Sequence, residues 1–279
     1  YDSAGIAIYN GLSTSSCKSK GKISKLEKQL EKRKNLKGHI GIGHTRWATH
    51  GEPNNVNAHP QFSNSNKLCI VHNGIIENYS AIKQKLIKEG FSFKSETDTE
   101  VLINLIEYIK DKENVKLGEA VQIALNQVVG AYAIAVIDSD KPDEIVVAKL
   151  GSPLCIGLGK GEHFIGSDVT PFIEFTKEVI YLEDGELAII RNHKDTLFRK
   201  IIDDSKISPT INKLELSLDK IEKQGFDHYM FKEIYEQPKA IQDTLRGRLN
   251  ISKGIIKLSG IDDYINKFLS TKKITIIAC

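Results

Sequence analysis

The sequence predicts an α+β fold in which helices pack over a sheet. Strand-like stretches open the chain, and a block of amphipathic helices follows them. The pattern then becomes rich in short strands that are separated by Gly and Asp turns. Short strands of this kind favour antiparallel pairing. Strands and helices that are segregated along the chain are typical of α+β layers.

The elements of the first half are predicted from apolar periodicity and turn residues. In chain order they are a strand in GIAIYN, a helix in ISKLEKQLEK, a strand in HIGIGHTRW, a long loop in EPNNVNAHPQFSNSNK, a strand in KLCIVHNG, a helix in NYSAIKQKLIKEG that Gly90 closes, a short strand and turn in FSFKSETD, and helices in DTEVLINLIEYIKD and KLGEAVQIALNQVVG.

The second half is predicted to begin with short strands in AYAIAVID, EIVVAKLG, LCIGLG, HFIGSD, VIYLEDGELAIIR and TLFRKI. Ser217–Asp227 is polar and resembles a linker. A helix is expected in HYMFKEIYEQPKAIQDTLRGRL, where Pro238 would kink the helix or lie in its first turn after a break.

Composition and charge exclude several classes of protein. The formal charge is only +3, and the basic run Lys25–Lys37 carries glutamates at helical spacing, so a solvated helix face is favoured over a nucleic-acid patch. The sequence has no apolar run that could span a membrane and no signal-peptide pattern. The four cysteines are scattered, which argues against disulfides and structural zinc and fits a reducing cytoplasm.

Four stretches are unusually polar: YDSAG, HTRWATHGEP, VHNGIIEN and SETDTE. Each is expected at or just after the end of a strand, where turns can converge on one pocket. Arg46 and Asp98 could clamp the α-carboxylate and α-amino groups of an amino acid, or they could form a surface ion pair. Asn73–Gly74 could form a tight turn, or an oxyanion hole from a side-chain amide and a backbone N–H.

The other polar residues of these stretches leave further alternatives. Thr49 and His50 could bind a ligand or satisfy the backbone of a buried loop, and Trp47 could be a lid, a wall or part of the core. The spacing of the histidines at positions 44, 59 and 72 fits no tetrahedral zinc site. No nucleophile is evident. Cys69 and Cys155 lie in apolar runs, and Cys17 lies in what reads as a polar loop.

Taken in order, the stretches YDSAG, HTRWATHGEPNNVNAHP, VHNGIIENY, SETDTEV, GAYAIAVI, GSPLCIGLG and HYMFKEIYEQP closely resemble the glutamine–fructose-6-phosphate aminotransferases (isomerising), or glucosamine-6-phosphate synthases. The resemblance implies a four-layer α/β/β/α sandwich of the N-terminal-nucleophile hydrolase type. It also implies release of ammonia from L-glutamine, transfer of that ammonia to fructose 6-phosphate, no cofactor, a cytoplasmic location and a homodimer.

The resemblance also implies roles for single residues. Arg46 would hold the glutamine α-carboxylate and Asp98 its α-amino group. Thr49 and His50 would line the same pocket, and Trp47 would gate the ammonia channel. Asn73 and Gly74 would form the oxyanion hole. The Glu236–Gln237 pair would lie where the chain bridges two domains.

The domain organisation is expected to follow the same family. Residues 1–216 would form the glutaminase domain without its first strand and helix. Residues 217–270 would be a linker with the first helices of the isomerase part, and residues 271–279 would begin its first strand. The family's nucleophile is an N-terminal cysteine, and this chain starts at Tyr1, so we expect a fragment that is inactive on its own.

Two rival functions remain. The first is the glutaminase domain of another amidotransferase, such as amidophosphoribosyltransferase or asparagine synthetase. HYMFKEIYEQP and the terminal ITIIAC speak against it. The second is a non-catalytic module that binds an amino acid.

Overall fold

The computed structural model describes residues 2–33, 36–46, 51–191, 195–214, 226–245, 249–250, 255–256, 265–273 and 275. Contacts divide the chain into two compact units, Tyr1–Glu215 and Leu216–Cys279. The boundary lies close to the one expected from the sequence, and the assignment of the second unit to an isomerase part stays a prediction. Among the described residues, no helix has the length and apolar character to cross a membrane.

The first unit contains helices and strands whose bounds are as follows. Its helices are α1 (Ile23–Glu31), α2 (Tyr79–Lys88), α3 (Asp98–Lys112) and α4 (Leu117–Leu125), with a short 3-10 helix at Thr170–Phe172. Its strands are β1 (Ser3–Tyr9), β2 (Thr14–Lys20), β3 (Ile40–Arg46), β4 (Gln61–Phe62), β5 (Leu68–Ile76), β6 (Gly130–Asp138), β7 (Glu144–Leu150), β8 (Cys155–Leu158), β9 (His163–Gly166), β10 (Glu178–Tyr181), β11 (Glu186–Arg191), β12 (Leu197–Lys200), β13 (Lys206–Ile207) and β14 (Asn212–Lys213).

The strands form three antiparallel sheets. The largest has seven strands in the order β13-β12-β11-β7-β6-β5-β4, a second has the order β2-β1-β3, and a third has the order β14-β10-β8-β9. Alternation along β6 divides its side chains between two cores. Ile134 and Val136 join the core beneath α2, α3 and α4, whereas Ala133 and Ala135 face the two smaller sheets.

The first unit therefore has four layers. Helices α2 to α4 form the first layer, the large sheet the second, the two small sheets the third, and α1 the fourth. The core between the sheets includes Ala7 and Ile42 from the three-stranded sheet and Ile156 and Ile180 from the four-stranded sheet. On the outer side of the three-stranded sheet, Leu26 of α1 packs against Ala4 and Cys17. This is the α/β/β/α order that the resemblance implies, and the predicted α+β class is confirmed.

The second unit contains α5 (Tyr229–Leu245), α6 (Ile265–Ser270) and the short antiparallel pair β15 (Leu249–Asn250) and β16 (Ile255–Ile256). The alternative of a break before Pro238 is wrong, because α5 runs continuously through that residue, and the kink at Pro238 stays a prediction. The predicted linker lies largely outside the described residues, and of the strand predicted at residues 271–279 only residues 271–273 and 275 are described.

Other differences from the expected elements have local causes. FSFKSETD does not pair as a strand. Its backbone instead approaches α3, where the Glu100 carboxylate accepts hydrogen bonds from the backbone N–H of Lys94 (2.9 Å) and of Ser95 (2.6 Å). Cys17 lies in β2 rather than in a loop, because Thr14–Lys20 pairs with β1 despite its polar composition. The expected closure of α2 is confirmed, since Gly90 follows the helix with φ +92°.

Candidate functional site

A cavity of about 600 Å³ is lined by residues from the large sheet, from β3 and from the first turn of α3. Along β3, residues 40, 42, 44 and 46 share one face by strand alternation. Because Ile42 lies in the core between the sheets, His44 and Arg46 point towards the facing strand β5. The cavity brings together the four predicted residues that the structure describes, Arg46, Asn73, Gly74 and Asp98.

Arg46 is the last residue of β3, and only 4% of its surface is exposed. Its Nη2 donates to the Gly51 carbonyl at 3.1 Å, and its Nη1 lies 3.9 Å from the Asp2 carboxylate. These contacts hold the guanidinium at the cavity wall. A buried, oriented guanidinium suits a carboxylate ligand, because its donors match the two carboxylate oxygens.

Asp98 is the first residue of α3, and Thr97 caps the helix by accepting a hydrogen bond from the Glu100 backbone N–H. The Asp98 side chain is buried, and its Oδ2 accepts from the Ile76 backbone N–H at 2.8 Å. The helix dipole favours a carboxylate at this end. Since both Asp98 and Arg46 are buried, the alternative of a surface ion pair is wrong.

Asn73 and Gly74 lie within β5 and pair with Ala133 and Tyr132 of β6. The alternative of a tight turn is therefore wrong, because the strand continues to Ile76. Gly74 has φ +133°, and a Cβ at this position would overlap the Ala131 carbonyl. Only glycine fits this backbone conformation, which lies beside the exposed Asn73 side chain within the continuous strand. The oxyanion role of the pair stays a prediction.

The three histidines at positions 44, 59 and 72 also line the cavity. The rings of His44 and His59 stack with centroids 4.4 Å apart. Thr99 Oγ1 lies 2.9 Å from His59 Nε2 and 3.0 Å from His72 Nδ1. Burial lowers the pKa of all three rings, so they are neutral near pH 7. Among the described residues, no group of side chains is arranged to hold a metal ion.

The sequence did not assign these histidines or Thr99 to the site. The polar stretches HTRWATHGEP, VHNGIIEN and SETDTE contain His44, His72 and Thr99, but nothing in the spacing shows that one hydroxyl meets two imidazoles. Three predicted pocket residues, Trp47, Thr49 and His50, lie outside the described residues.

No described cysteine lines the cavity. Cys17 is buried and its Sγ donates to Gln29 at 3.5 Å. Burial raises the pKa of the Cys69 thiol, and it raises that of Cys155 to about 12. These thiols have the character of inert core residues. Cys279 lies outside the described residues.

Two strand edges face the same cavity. In the described part of the chain, β3 is the last strand of its sheet and β9 is the last strand of another. Residues 41–46 of β3 line the cavity, as do His163, Ile165 and Gly166 of β9. An edge strand presents backbone N–H and C=O groups that can pair with another strand.

Comparisons with known proteins fit this architecture. Over 72% of its length, the chain superposes on 43% of the chain of the glutamine phosphoribosylpyrophosphate amidotransferase from B. subtilis, with a TM-score of 0.61 and 28% identity. The structure of an allosteric regulatory enzyme of purine biosynthesis is similar over the same shares, with a TM-score of 0.62 and 29% identity.

Curated relatives share more of the sequence. Proteins named glutamine–fructose-6-phosphate aminotransferase [isomerizing] are 50% identical in Bacteroides thetaiotaomicron and 48% identical in Chlorobaculum tepidum. Each match covers all of this chain but 45% of the relative, so the chain spans about half the length of these proteins. Residues 10–188 match the family described as the glutamine amidotransferase domain. The chain therefore belongs to the glutamine amidotransferase domain family.

Proposed function

We propose that the first unit binds L-glutamine and releases its amide nitrogen as ammonia. We also propose that the whole protein transfers this ammonia to fructose 6-phosphate and forms glucosamine 6-phosphate. The observation that carries the proposal is the wall of one cavity, which presents a buried guanidinium, a buried carboxylate and a candidate oxyanion hole. A free amino acid with a side-chain amide offers a complementary group to each.

In the proposed complex, Arg46 binds the α-carboxylate of glutamine by a charge-assisted, bidentate contact. Asp98 accepts from the α-ammonium group, and the Ile76 N–H orients its carboxylate. Fixing both charged groups of the ligand leaves its side-chain amide as the group that reaches the candidate oxyanion hole.

The proposed reaction begins with a nucleophile that attacks the amide carbon. The carbonyl oxygen becomes an oxyanion, and it accepts hydrogen bonds from Asn73 Nδ2 and the Gly74 N–H. The nucleophile's proton passes to the amide nitrogen as the intermediate collapses, so the C–N bond breaks, ammonia leaves and an acyl-enzyme remains. Water then hydrolyses the acyl-enzyme to glutamate and the free nucleophile. Loss of one oxyanion donor typically costs about 3 kcal/mol of barrier.

We propose that the nucleophile is an N-terminal cysteine that these 279 residues do not include, as the resemblance implies. The burial of Cys17, Cys69 and Cys155 supports this, because none of them lines the cavity. The edges of β3 and β9 support it as well. An extended segment that pairs with either edge would enter the cavity and could carry a reactive side chain to the site.

The acceptor is inferred from the curated relatives. The chain is 50% identical to an aminotransferase whose name includes fructose 6-phosphate. It is only 28% identical to the amidotransferase whose name includes phosphoribosylpyrophosphate. The higher identity supports fructose 6-phosphate as the acceptor. A cytoplasmic homodimer is proposed on the same resemblance, and size-exclusion chromatography with light scattering of the intact protein tests the dimer.

The test is a substrate assay on the intact protein. Glutamine with fructose 6-phosphate should yield glutamate and glucosamine 6-phosphate in equal amounts. Formation of phosphoribosylamine from phosphoribosyl pyrophosphate instead would point to the rival amidotransferase. Saturable glutamine binding without any release of ammonia would point to a binding module.

A further inference from the structure

A histidine from the facing strand β3 contacts the side chain of Asn73. His44 Nε2 lies 2.7 Å from Asn73 Oδ1, across the space between β3 and β5. His44 stands two residues before Arg46 on the same face of the strand. The strand that supplies the carboxylate clamp therefore also reaches the candidate oxyanion hole.

The geometry of this contact decides which group Asn73 presents to the cavity. A neutral imidazole has one N–H donor and one acceptor nitrogen, and a carboxamide has one acceptor and one donor end. If His44 Nε2 carries the proton, it donates to Asn73 Oδ1 and leaves Nδ2 as a donor for the ligand. If the proton is on Nδ1, Nε2 accepts from Asn73 Nδ2. The carbonyl of Asn73 then faces the ligand and repels an oxyanion.

The His44 ring is held in place by the groups around it. It stacks on His59, whose Nε2 is fixed by Thr99 Oγ1 at 2.9 Å. The same hydroxyl meets His72, and Thr99 directly follows Asp98 in the first turn of α3. No described residue meets His44 Nδ1 in good hydrogen-bonding geometry, and the group that faces Nε2 at 2.7 Å is the Asn73 oxygen, which accepts a proton that Nε2 carries.

We propose that His44 is a positioning residue, whose Nε2–H donates to Asn73 Oδ1 and holds Asn73 Nδ2 towards the amide carbonyl of bound glutamine. The inference rests on the proposed glutaminase function and deepens it. Asn73 contacts the reacting oxygen, whereas His44 acts only through Asn73. His44 should therefore affect turnover and not the binding of the α-carboxylate and α-ammonium groups.

The experiment is a double-mutant cycle on the intact enzyme, with glutamine hydrolysis as the assay. His44→Phe keeps a ring that can stack on His59 and removes the N–H donor, whereas His44→Gln restores a donor. We expect His44→Phe to lower kcat about 10- to 100-fold with KM within about twofold of the wild-type value, because a misdirected oxyanion donor weakens only the transition state. His44→Gln should recover most of the loss, and the exposed His39→Phe should change neither constant.

The cycle separates positioning from a general structural effect. In an Asn73→Ala background, His44→Phe should lower kcat by no more than about twofold, because the group that it orients is gone. An equal loss in both backgrounds, or an unchanged kcat in His44→Phe, would overturn the inference. If circular dichroism shows that His44→Phe is unfolded, the smaller His44→Leu takes its place in the same cycle, with the same outcomes.

The outcomes also distinguish this inference from the function on which it rests. If Asn73→Ala lowers kcat and His44→Phe does not, the oxyanion hole stands and the positioning role fails. If Asn73→Ala leaves kcat unchanged, the oxyanion hole assigned under the proposed function fails, and the role of His44 fails with it.

Discussion

Replacement of Asp98 by asparagine tests the charge complementarity of the site with little change of shape. The Asp98 side chain is buried, and one of its oxygens is already committed to the Ile76 N–H at 2.8 Å. In Asp98→Asn the amide oxygen must keep that bond, because a buried backbone N–H without a partner is costly. The amide NH₂ is then turned towards the ligand's ammonium group, and two donors face each other.

The expected loss follows from the value of a hydrogen bond to a charged group. Such a bond contributes about 1.5–3 kcal/mol, which corresponds to a roughly 10- to 100-fold higher KM for glutamine. Because the α-ammonium group is bound equally in the ground state and the transition state, kcat should change little. Steady-state glutamine hydrolysis by the intact enzyme measures both constants.

The control for Asp98→Asn is a substrate without the group that Asp98 binds. Glutaramate is glutamine without its α-amino group, so Asp98→Asn should raise its KM by no more than about twofold. Glu77→Gln removes an exposed carboxylate from the residue after Ile76 and should leave both substrates unaffected. An equal KM increase for glutamine and glutaramate, or none for either, would refute the assignment of Asp98.

Further predictions concern stability and thiol chemistry. In Gly74→Ala the new Cβ would overlap the Ala131 carbonyl at a positive φ, which costs about 2 kcal/mol of stability. The melting temperature should therefore fall by about 4–8 °C. A melting temperature within about 1 °C of the wild-type value would contradict this prediction. Burial lowers the pKa of His59 well below 6.5, so the unfolded chain binds a proton on acidification that the folded chain does not. Stability should therefore fall as the pH drops through about 6.5, the pKa of a histidine in the unfolded chain, and His59→Gln should melt with a flatter pH dependence. Iodoacetamide should label Cys69 and Cys155 fully only after denaturation, because burial raises the pKa of both thiols. Peptide mass spectra that show rapid labelling of the native protein would contradict this prediction.

Much of the fold could be predicted from local patterns. Amphipathic spacing located α1 to α4, and short apolar runs located five strands of the large sheet, β5, β6, β7, β11 and β12. Strand β4 lies in the stretch predicted as a long loop, and β13 was not predicted. Patterns failed where tertiary contacts decide the structure. The polar segment Thr14–Lys20 forms a strand because it pairs with β1 over its whole length. Phe91–Thr97 stays irregular because the N–H groups of Lys94 and Ser95 bond to the Glu100 side chain instead of to a neighbouring strand.

The candidate site could be predicted in part. Arg46, Asp98, Asn73 and Gly74 were expected in one pocket, and all four line one cavity. The contact between His44 and Asn73 joins residues that are 29 positions apart in two different sheets. No spacing rule predicts such a pair, because the register between facing sheets depends on packing over the whole domain.

The measurement that tests the central claim most directly is a crystal structure of the intact protein with glutamine bound and its nucleophile substituted. The account predicts the α-carboxylate on the Arg46 guanidinium and the α-ammonium group on the Asp98 carboxylate. It also places the amide oxygen within about 3 Å of Asn73 Nδ2 and the Gly74 nitrogen. Glutamine bound outside this cavity, or bound with its amide towards Arg46, would contradict the account.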